Sequence, residues 1–399
     1  MRSVVGAERS TRWLGAVAVF TIALVPFVGY LAPLGFAPLL ALCGLLATPG
    51  LARPRPASPP AMALFVLVVW ALISLAWSPG APSVSDLKDS GDLESFTGLK
   101  LVFQLGLYGA AIAALSGLSD RSARRAATVL AVSVLSLALL VALDGVSGAA
   151  FYQWLRAVTN DPIRPDLAVV KVSIATYALA LLFWPTARIM SGRGWTPAAF
   201  VLLGAVIVGA VALSADASWA ALAFGFIAFG AVRLFGKVAA RSLVAVVAAP
   251  FVLGPVLLLW GVHSGLVAWL HEHVPRSWDA RLDIWAFTAD HVQAHAIRGW
   301  GLDASRTFGP AIPLHTHNAA LQLWLELGAV GAALGGVFFS WVAYRIVALT
   351  GESREEGAIA AAALVTYLTI GALSFGVWQE WWLALGAFTV IACDISRKD

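Results

Sequence analysis

Charged residues are scarce in this chain. Lys, Arg, Asp and Glu make up 12% of the 399 residues, whereas apolar residues make up 60%. A soluble globular domain carries about a quarter charged residues, so this composition excludes an ordinary soluble fold. The apolar stretches are about 20 residues long, the length that crosses a bilayer as an α-helix, and they lack the alternation of a membrane β-barrel. We therefore predict an all-α, polytopic membrane protein that forms a single domain over residues 1–399.

Cysteine and nucleotide-binding motifs are also scarce. The two cysteines, Cys43 and Cys393, are far apart and lie in or beside apolar stretches. They indicate neither a disulfide framework nor a metal site. The chain has no glycine-rich nucleotide loop, and Gly328, Gly331 and Gly335 are typical of close helix packing instead. We predict that the chain uses no cofactor and has no nucleic-acid partner.

Turn-forming residues divide the apolar sequence into about twelve candidate spans. We place them near residues 13–31, 33–50, 61–77, 99–118, 125–143, 167–187, 196–214, 217–235, 242–262, 319–342, 357–376 and 380–395. The first span follows a basic N-terminus, as in a signal peptide, but it is long and no clear cleavage site follows it. It is therefore predicted to be a retained helix.

The distribution of Lys and Arg predicts the orientation. Basic residues fall in every second connection, which is the pattern of cytoplasmic loops. They are Arg53 and Arg55; Arg121, Arg124 and Arg125; Arg188 and Arg193; Arg233, Lys237 and Arg241; Arg345 and Arg354; and Arg397 and Lys398. The outward connection at 79–98 is acidic, with Asp86, Asp89, Asp92 and Glu94. We therefore predict a bacterial inner-membrane protein with both termini in the cytoplasm.

One outward connection is far longer than the others. The segment from His263 to Asn318 contains all seven histidines, together with Arg276, Arg281, Arg298 and Arg306. Histidine accepts protons near neutral pH and arginine binds anions. We predict that this periplasmic loop holds the functional site. Its histidines are His263, His271, His273, His291, His295, His315 and His317.

The end of this loop passes directly into an apolar span. Asn318, Gln322 and Glu326 are four residues apart, so they form one polar stripe on a helix. Such a stripe usually faces a cavity or a partner, because polar groups are costly in lipid. His317, at the helix mouth, is a candidate base. The alternative is that His317 and Asn318 only cap the helix and that Glu326 pairs with another helix.

Upstream, the segment 277–303 is predicted to form an amphipathic helix that ends at Gly299. Ile284, Trp285 and Phe287 are expected to face the membrane surface. Arg281 suits a phosphate, because its planar guanidinium binds pairs of oxygens. The alternative is a local ion pair of Arg281 with Asp279 or Asp283.

Three further cations lie at outer span boundaries. Arg164 and Lys171 are seven residues apart and therefore share a helix face. Lys171 must snorkel, pair with an acid such as Asp216, or bind an anionic ligand. Lys100 is a similar candidate at the start of another span.

The spacing of the histidines also fits a metal site. His271 with His273 and His315 with His317 are HxH pairs, and His291 and His295 are one helical turn apart. However, no HExxH motif, third carboxylate ligand or nearby cysteine accompanies them. We therefore expect no metal.

Three elements follow one another in the loop: RLDIW from Arg281, IRGWGLD from Ile297 and HTHNAALQLWLELGAVG from His315. In this order they resemble the O-antigen ligase and O-antigen polymerase superfamily. The resemblance implies a membrane-embedded (GT-C-like), metal-independent, inverting glycosyltransferase of lipopolysaccharide biosynthesis. Its donor would be a glycan on undecaprenyl diphosphate, and its acceptor lipid A-core or another sugar hydroxyl.

The resemblance also implies roles for residues. Arg281 and Arg164 match arginines expected to hold the diphosphate, and His317 matches the residue expected to activate the acceptor. Trp219 replaces the arginine of a Ser-Arg pair found in many relatives, and His315 is an additional imidazole that competes for the base role.

Two alternative functions stay open: a polymerase of glycan repeat units, and a carrier or flippase for an anionic lipid. Transporters typically show internal repeats, which this sequence does not show clearly.

Overall fold

A computed structural model describes residues 2–51, 58–83, 96–274 and 276–399. These residues form α-helices and short helical turns and contain no β-strand. The helices are α1 Arg2–Ala23, α2 Val25–Leu31, α3 Phe36–Ala47, α4 Pro59–Ser74, α5 Thr97–Leu115, α6 Asp120–Val146, α7 Ala150–Val158, α8 Pro165–Ser173, α9 Ala175–Gly192, α10 Thr196–Ala212, α11 Asp216–Phe235, α12 Lys237–His263, α13 Leu266–His273, α14 Arg276–Val292, α15 Ala319–Glu352, α16 Arg354–Leu373 and α17 Glu380–Lys398.

Nine helical segments in the described part of the chain are long and apolar enough to cross a membrane. Two shorter apolar helices, α4 and α10, and the final helix α17 occupy the three remaining predicted spans. The chain is therefore an all-α, multi-pass membrane protein, as predicted, whereas the total of twelve spans stays a prediction. The acidic residues Asp86, Asp89, Asp92 and Glu94, and the cations Arg53 and Arg55, lie outside the described residues.

Helix α6 lies at the centre of the bundle, where it packs against α1, α9, α10 and α17. Its small residues Ala123, Ala127 and Ala131 are fully buried. Small side chains allow the close backbone approach that stabilises helix pairs in lipid. By contrast, α12 exposes large apolar side chains such as Val252 and Trp260, as expected of a helix that faces lipid.

Several basic connections meet at one end of the bundle, which we call the basic end. Arg193 donates to the Arg124 carbonyl at 2.8 Å and to the Asp399 carboxylate at 2.7 Å. Arg188 pairs with Glu356 at 3.0 Å. Lys398 donates to the Ser116 carbonyl at 2.6 Å. The connections near residues 116–124, 188–193 and 353–356 and the C-terminal residues therefore share one end, in agreement with the alternation seen in the sequence.

The segment 264–318 lies at the opposite end, which we call the loop end. It connects α12 to α15, and these two helices also contact each other directly. Pro255 has no N–H to donate to the Phe251 carbonyl one helical turn earlier. Trp324 of α15 donates its indole N–H to that carbonyl at 2.8 Å. This hydrogen bond ties the start of α15 to the helix that precedes the loop.

Candidate active site at the loop end

The turn before α15 positions the candidate base. Asn318 caps the helix, because its side-chain oxygen accepts the Leu321 N–H at 3.0 Å. His317 has a positive φ of 51°, a left-handed conformation that is uncommon for residues other than glycine. Thr316 donates its hydroxyl to the Asn318 carbonyl at 2.7 Å and stabilises this turn. Asn318 is thus a cap, whereas His317 is not.

One ring nitrogen of His317 is bound and the other is free. Nδ1 lies 2.9 Å from the carbonyl oxygen of Ser374, in the connector between α16 and α17. A carbonyl oxygen can only accept a hydrogen bond, so Nδ1 carries the proton of the neutral ring. Nε2 therefore keeps its lone pair, and among the described residues it has no hydrogen-bond partner.

His315 differs, since both of its ring nitrogens are engaged. Its Nδ1 accepts the backbone N–H of His317 at 3.1 Å, so Nε2 carries the proton of the neutral ring. Nε2 lies 2.8 Å from the amide nitrogen of Gln379, so this tautomer needs the Gln379 amide turned by 180°, which places its oxygen as acceptor opposite the Nε2 proton. The HxH pair consequently does not present two free nitrogens to a metal ion.

Burial and charge keep both imidazoles neutral. Burial lowers the pKa of His315 to about 3, helped by the nearby His317, Arg306 and Arg281. Burial also lowers the pKa of His317. The positive charge of Arg281 acts in the same direction, whereas the hydrogen bond to the Ser374 carbonyl opposes it. At neutral pH, His317 is an uncharged base.

Arg281 lies in the second turn of α14, with its guanidinium 5.4 Å from the ring centre of Trp278. It makes no ion pair with any described residue, so the local pair with Asp279 or Asp283 is not formed. His271 instead lies 3.6 Å from Asp279 and 3.4 Å from Asp283. The guanidinium charge of Arg281 thus stays available to a ligand.

The apolar face of α14 packs against protein and not against the membrane surface, so that expectation is wrong. Ile284 is buried with Ile312 and Leu325. Trp285 donates its indole N–H to the Thr316 carbonyl at 3.0 Å. The physical reason is that the returning chain covers the helix and removes its apolar face from solvent. This packing fixes Arg281 relative to the turn that holds His317.

Glu326 and Gln322 join three segments of the chain. Glu326 is fully buried, and its carboxylate accepts from Gln322 Nε2 at 3.0 Å, from Trp378 Nε1 at 2.6 Å and from the Asp303 backbone N–H at 3.2 Å. The polar stripe therefore faces partners inside the protein. These partners lie in the loop and in the connector before α17, not on a facing helix.

Glycine allows the loop to dock on a broken helix. Gly328 has φ 63° and ψ −162°, so it interrupts α15, and the expectation that it serves helix packing is wrong. The Ala329 N–H donates to the Ala296 carbonyl at 2.8 Å, and the Gly301 N–H donates to the Glu326 carbonyl at 2.7 Å. A Cβ on Gly299 would lie 2.3 Å from the Glu326 carbonyl oxygen. Backbone groups near the break in α15 are thus hydrogen-bonded to backbone groups of the loop.

Among the described residues, no hydrogen bond or ion pair joins the other predicted cations to Arg281, His315 or His317. Arg164 is exposed and pairs with Asp166 at 2.5 Å. Lys100 pairs with Glu380. Lys171 is exposed and makes no ion pair within the described chain, and Asp216 accepts instead from Trp219 Nε1 at 3.4 Å.

Sequence reasoning missed the connector of residues 374–379, which holds both histidines. It contains no charged residue, and its contact with His317 is through a backbone carbonyl. Its position could have indicated a role in the site, since it is a short connection at the same end of the bundle as the loop.

Residues 198–335, which include all three motif elements, match the family model described as O-antigen ligase. Similar proteins named "putative polysaccharide ligase" occur in Rickettsia conorii, with 31% identity over 134 residues, and in Rickettsia felis, with 28% over 134 residues. A third, from Rickettsia bellii, is 31% identical over 135 residues. Each alignment covers 30% of this chain and 32% of the relative. The chain thus matches about a third of the length of these relatives, and the resemblance seen in the motifs is confirmed.

Proposed function

Because residues 198–335 match the O-antigen ligase family, we propose that this protein is an inverting glycosyltransferase. It transfers a glycan from undecaprenyl diphosphate to lipid A-core or a similar sugar acceptor. The reaction takes place at the periplasmic face of a bacterial inner membrane, with the basic end in the cytoplasm. The observation that carries this proposal is His317, a neutral imidazole whose Nδ1 is bound to the Ser374 carbonyl and whose Nε2 is free.

The free Nε2 suits a general base. It takes the proton of the acceptor hydroxyl as the hydroxyl oxygen attacks the anomeric carbon of the donor sugar. The sugar–diphosphate bond breaks on the opposite face, so the configuration at that carbon inverts. The lowered pKa of His317 keeps the base unprotonated at neutral pH. His315 has no free nitrogen, so the base role falls to His317.

The leaving diphosphate gains negative charge as the bond breaks. A fixed cation beside it therefore stabilises the transition state more than the ground state. Arg281 meets this need, since no carboxylate of the described residues competes for its guanidinium. Trp285, one helical turn after Arg281, donates to the carbonyl of Thr316 beside His317, which supports placing the diphosphate and the acceptor hydroxyl next to each other.

Arg164, Lys171 and Lys100 are the further diphosphate ligands of this proposal. Lys171 is the strongest of the three, because it is exposed and has no ion-pair partner in the described chain. Arg164 and Lys100 must first leave Asp166 and Glu380. Membrane lipids surround the spans, and no metal is required for the charge stabilisation described here.

The test replaces His317 by Ala in cells, with His263→Ala as the matched control. His263 is an exposed histidine at the end of α12, and its Nδ1 contacts only the Leu259 carbonyl among the described residues. Loss of a general base lowers the rate by about 10²–10⁴-fold. A gel of cellular lipopolysaccharide should therefore lose its long-chain product in His317→Ala and keep it in His263→Ala, at equal protein levels.

The same cells distinguish the two activities of this class. Full-length glycan that accumulates on the lipid carrier supports a ligase, whereas single repeat units on the carrier support a polymerase. Unchanged long-chain product in the His317→Ala strain would contradict the catalytic assignment.

A further inference from the structure

The connector of residues 374–379 contacts both histidines of the candidate site. The Ser374 carbonyl binds Nδ1 of His317 at 2.9 Å, and the Gln379 amide lies 2.8 Å from Nε2 of His315. Gly376 packs against His315 between these two contacts. The connector follows α16 and is far from the histidines in sequence. The orientation of the two rings therefore depends on where the connector is held.

Two buried side chains of α15 hold the connector. The Val377 N–H donates to Gln322 Oε1 at 2.9 Å, and the Trp378 indole N–H donates to Glu326 Oε2 at 2.6 Å. Because Oε1 of Gln322 accepts from Val377, its Nε2 must face Glu326, which accepts it at 3.0 Å. Each of these polar atoms thus has a complementary partner, and the bond at Gln322 Oε1 sets the orientation of Gln322 Nε2 toward Glu326.

We propose that Gln322, Glu326 and Gly376 are positioning residues, which hold the connector so that the Ser374 carbonyl fixes the proton of His317 on Nδ1. A neutral imidazole without this acceptor can carry its proton on either nitrogen. The tautomer with the proton on Nε2 has no lone pair at the free position and cannot act as a base there. The effect on glycan transfer rests on the function proposed above, whereas the tautomer itself does not.

Gly376 offers a small change at the contact of the connector with Gln322 and His315. A Cβ at this position would lie 2.5 Å from Gln322 Oε1 and 3.1 Å from His315 Cβ. Its backbone does not have a positive φ, so alanine introduces crowding without backbone strain. Gly230→Ala, in α11, is the matched control, because a Cβ there meets no atom within 4 Å.

The experiment records ¹⁵N spectra of the histidine rings in the full-length chain, purified in detergent with ¹⁵N-labelled histidine. The resonances that disappear in His317→Ala identify the ring of His317. In the native protein and in Gly230→Ala, we expect a protonated Nδ1 and an unprotonated Nε2. In Gly376→Ala and Gln322→Leu, we expect the Nε2-protonated tautomer to appear, and kcat for glycan transfer to fall about tenfold or more with little change in the donor KM.

Gln322→Leu disrupts the connector independently, so the test does not depend on the folding of one variant. If His317 keeps its proton on Nδ1 in both folded variants, the inference is wrong, whatever the transfer rate. If the tautomer changes but transfer continues at the native rate, the inference stands and the proposed role of His317 as base is wrong.

Discussion

The two ends of the helix bundle are held together by different interactions. At the basic end, charged side chains join distant parts of the chain, as in Arg188 with Glu356 and Arg193 with Asp399. At the loop end, the long-range links are mostly neutral. Trp70 donates to the Leu327 carbonyl at 3.1 Å, and Trp77 donates to the Gly299 carbonyl at 3.2 Å.

This difference has a functional consequence. An ion pair commits a cation to an internal carboxylate, whereas an indole N–H on a carbonyl leaves the cations uncommitted. Arg281 therefore keeps its charge for an anionic substrate, although it lies in a densely packed segment. The comparison predicts that neutralising a cation affects catalysis at the loop end and stability at the basic end.

Among the changes that test this comparison, Arg281→Gln has the largest expected effect. It removes a cation beside the leaving group, and we expect kcat to fall about 10²-fold or more, as for the loss of one transition-state donor. Because the charge of Arg281 lowers the pKa of His317, the variant should also raise that pKa. The base is active when unprotonated, so the acid limb of the rate–pH profile should move to higher pH.

Arg188→Gln is the control at the basic end. Its pair with Glu356 is partly buried, and we expect a loss of about 1 kcal/mol in unfolding free energy with unchanged kcat. Thermal unfolding and transfer rates measured on both variants test the comparison directly. A loss of catalysis in Arg188→Gln that equals the loss in Arg281→Gln would contradict it.

The sequence predicted much of this arrangement, for identifiable reasons. The length of apolar runs located the spans, and the motif at 315–331 brought together His317, Gln322 and Glu326 as one group. The break at Gly328 was not predicted, because its spacing from Gly331 and Gly335 also fits an uninterrupted packing face. The environment of Ile284 was misjudged because periodicity shows which residues share a helix face but not what covers that face.

A second, smaller effect is the pH dependence of protein stability that His315 causes. In the folded protein the pKa of His315 is lowered to about 3, below the ordinary 6.5 of the unfolded chain. As pH falls below 6.5, the unfolded chain binds a proton that the folded protein does not, so stability falls. The slope is at most about 1.4 kcal/mol per pH unit between the two values.

His315→Asn removes this titration while its side-chain oxygen can still accept the His317 N–H. We expect the variant to be less stable at pH 7 but to lose less further stability between pH 6.5 and pH 5 than the native protein. Unfolding in detergent measured across this range is the test. Parallel stability–pH curves for the two proteins would show that His315 binds its proton equally in both states.

The smallest expected effect is a change in donor KM on substitution of Asp166. Arg164 differs from Arg281 at the loop end because it forms an ion pair with a carboxylate. Asp166 holds Arg164 in an exposed ion pair, which competes with any diphosphate for the same guanidinium. Asp166→Asn should therefore lower the donor KM, and Arg164→Gln should raise it. Exposed ion pairs are weak, so neither change should exceed about threefold. A donor KM that is unchanged in both variants would remove Arg164 from the donor site and leave Lys100, Lys171 and Arg281 as its cations.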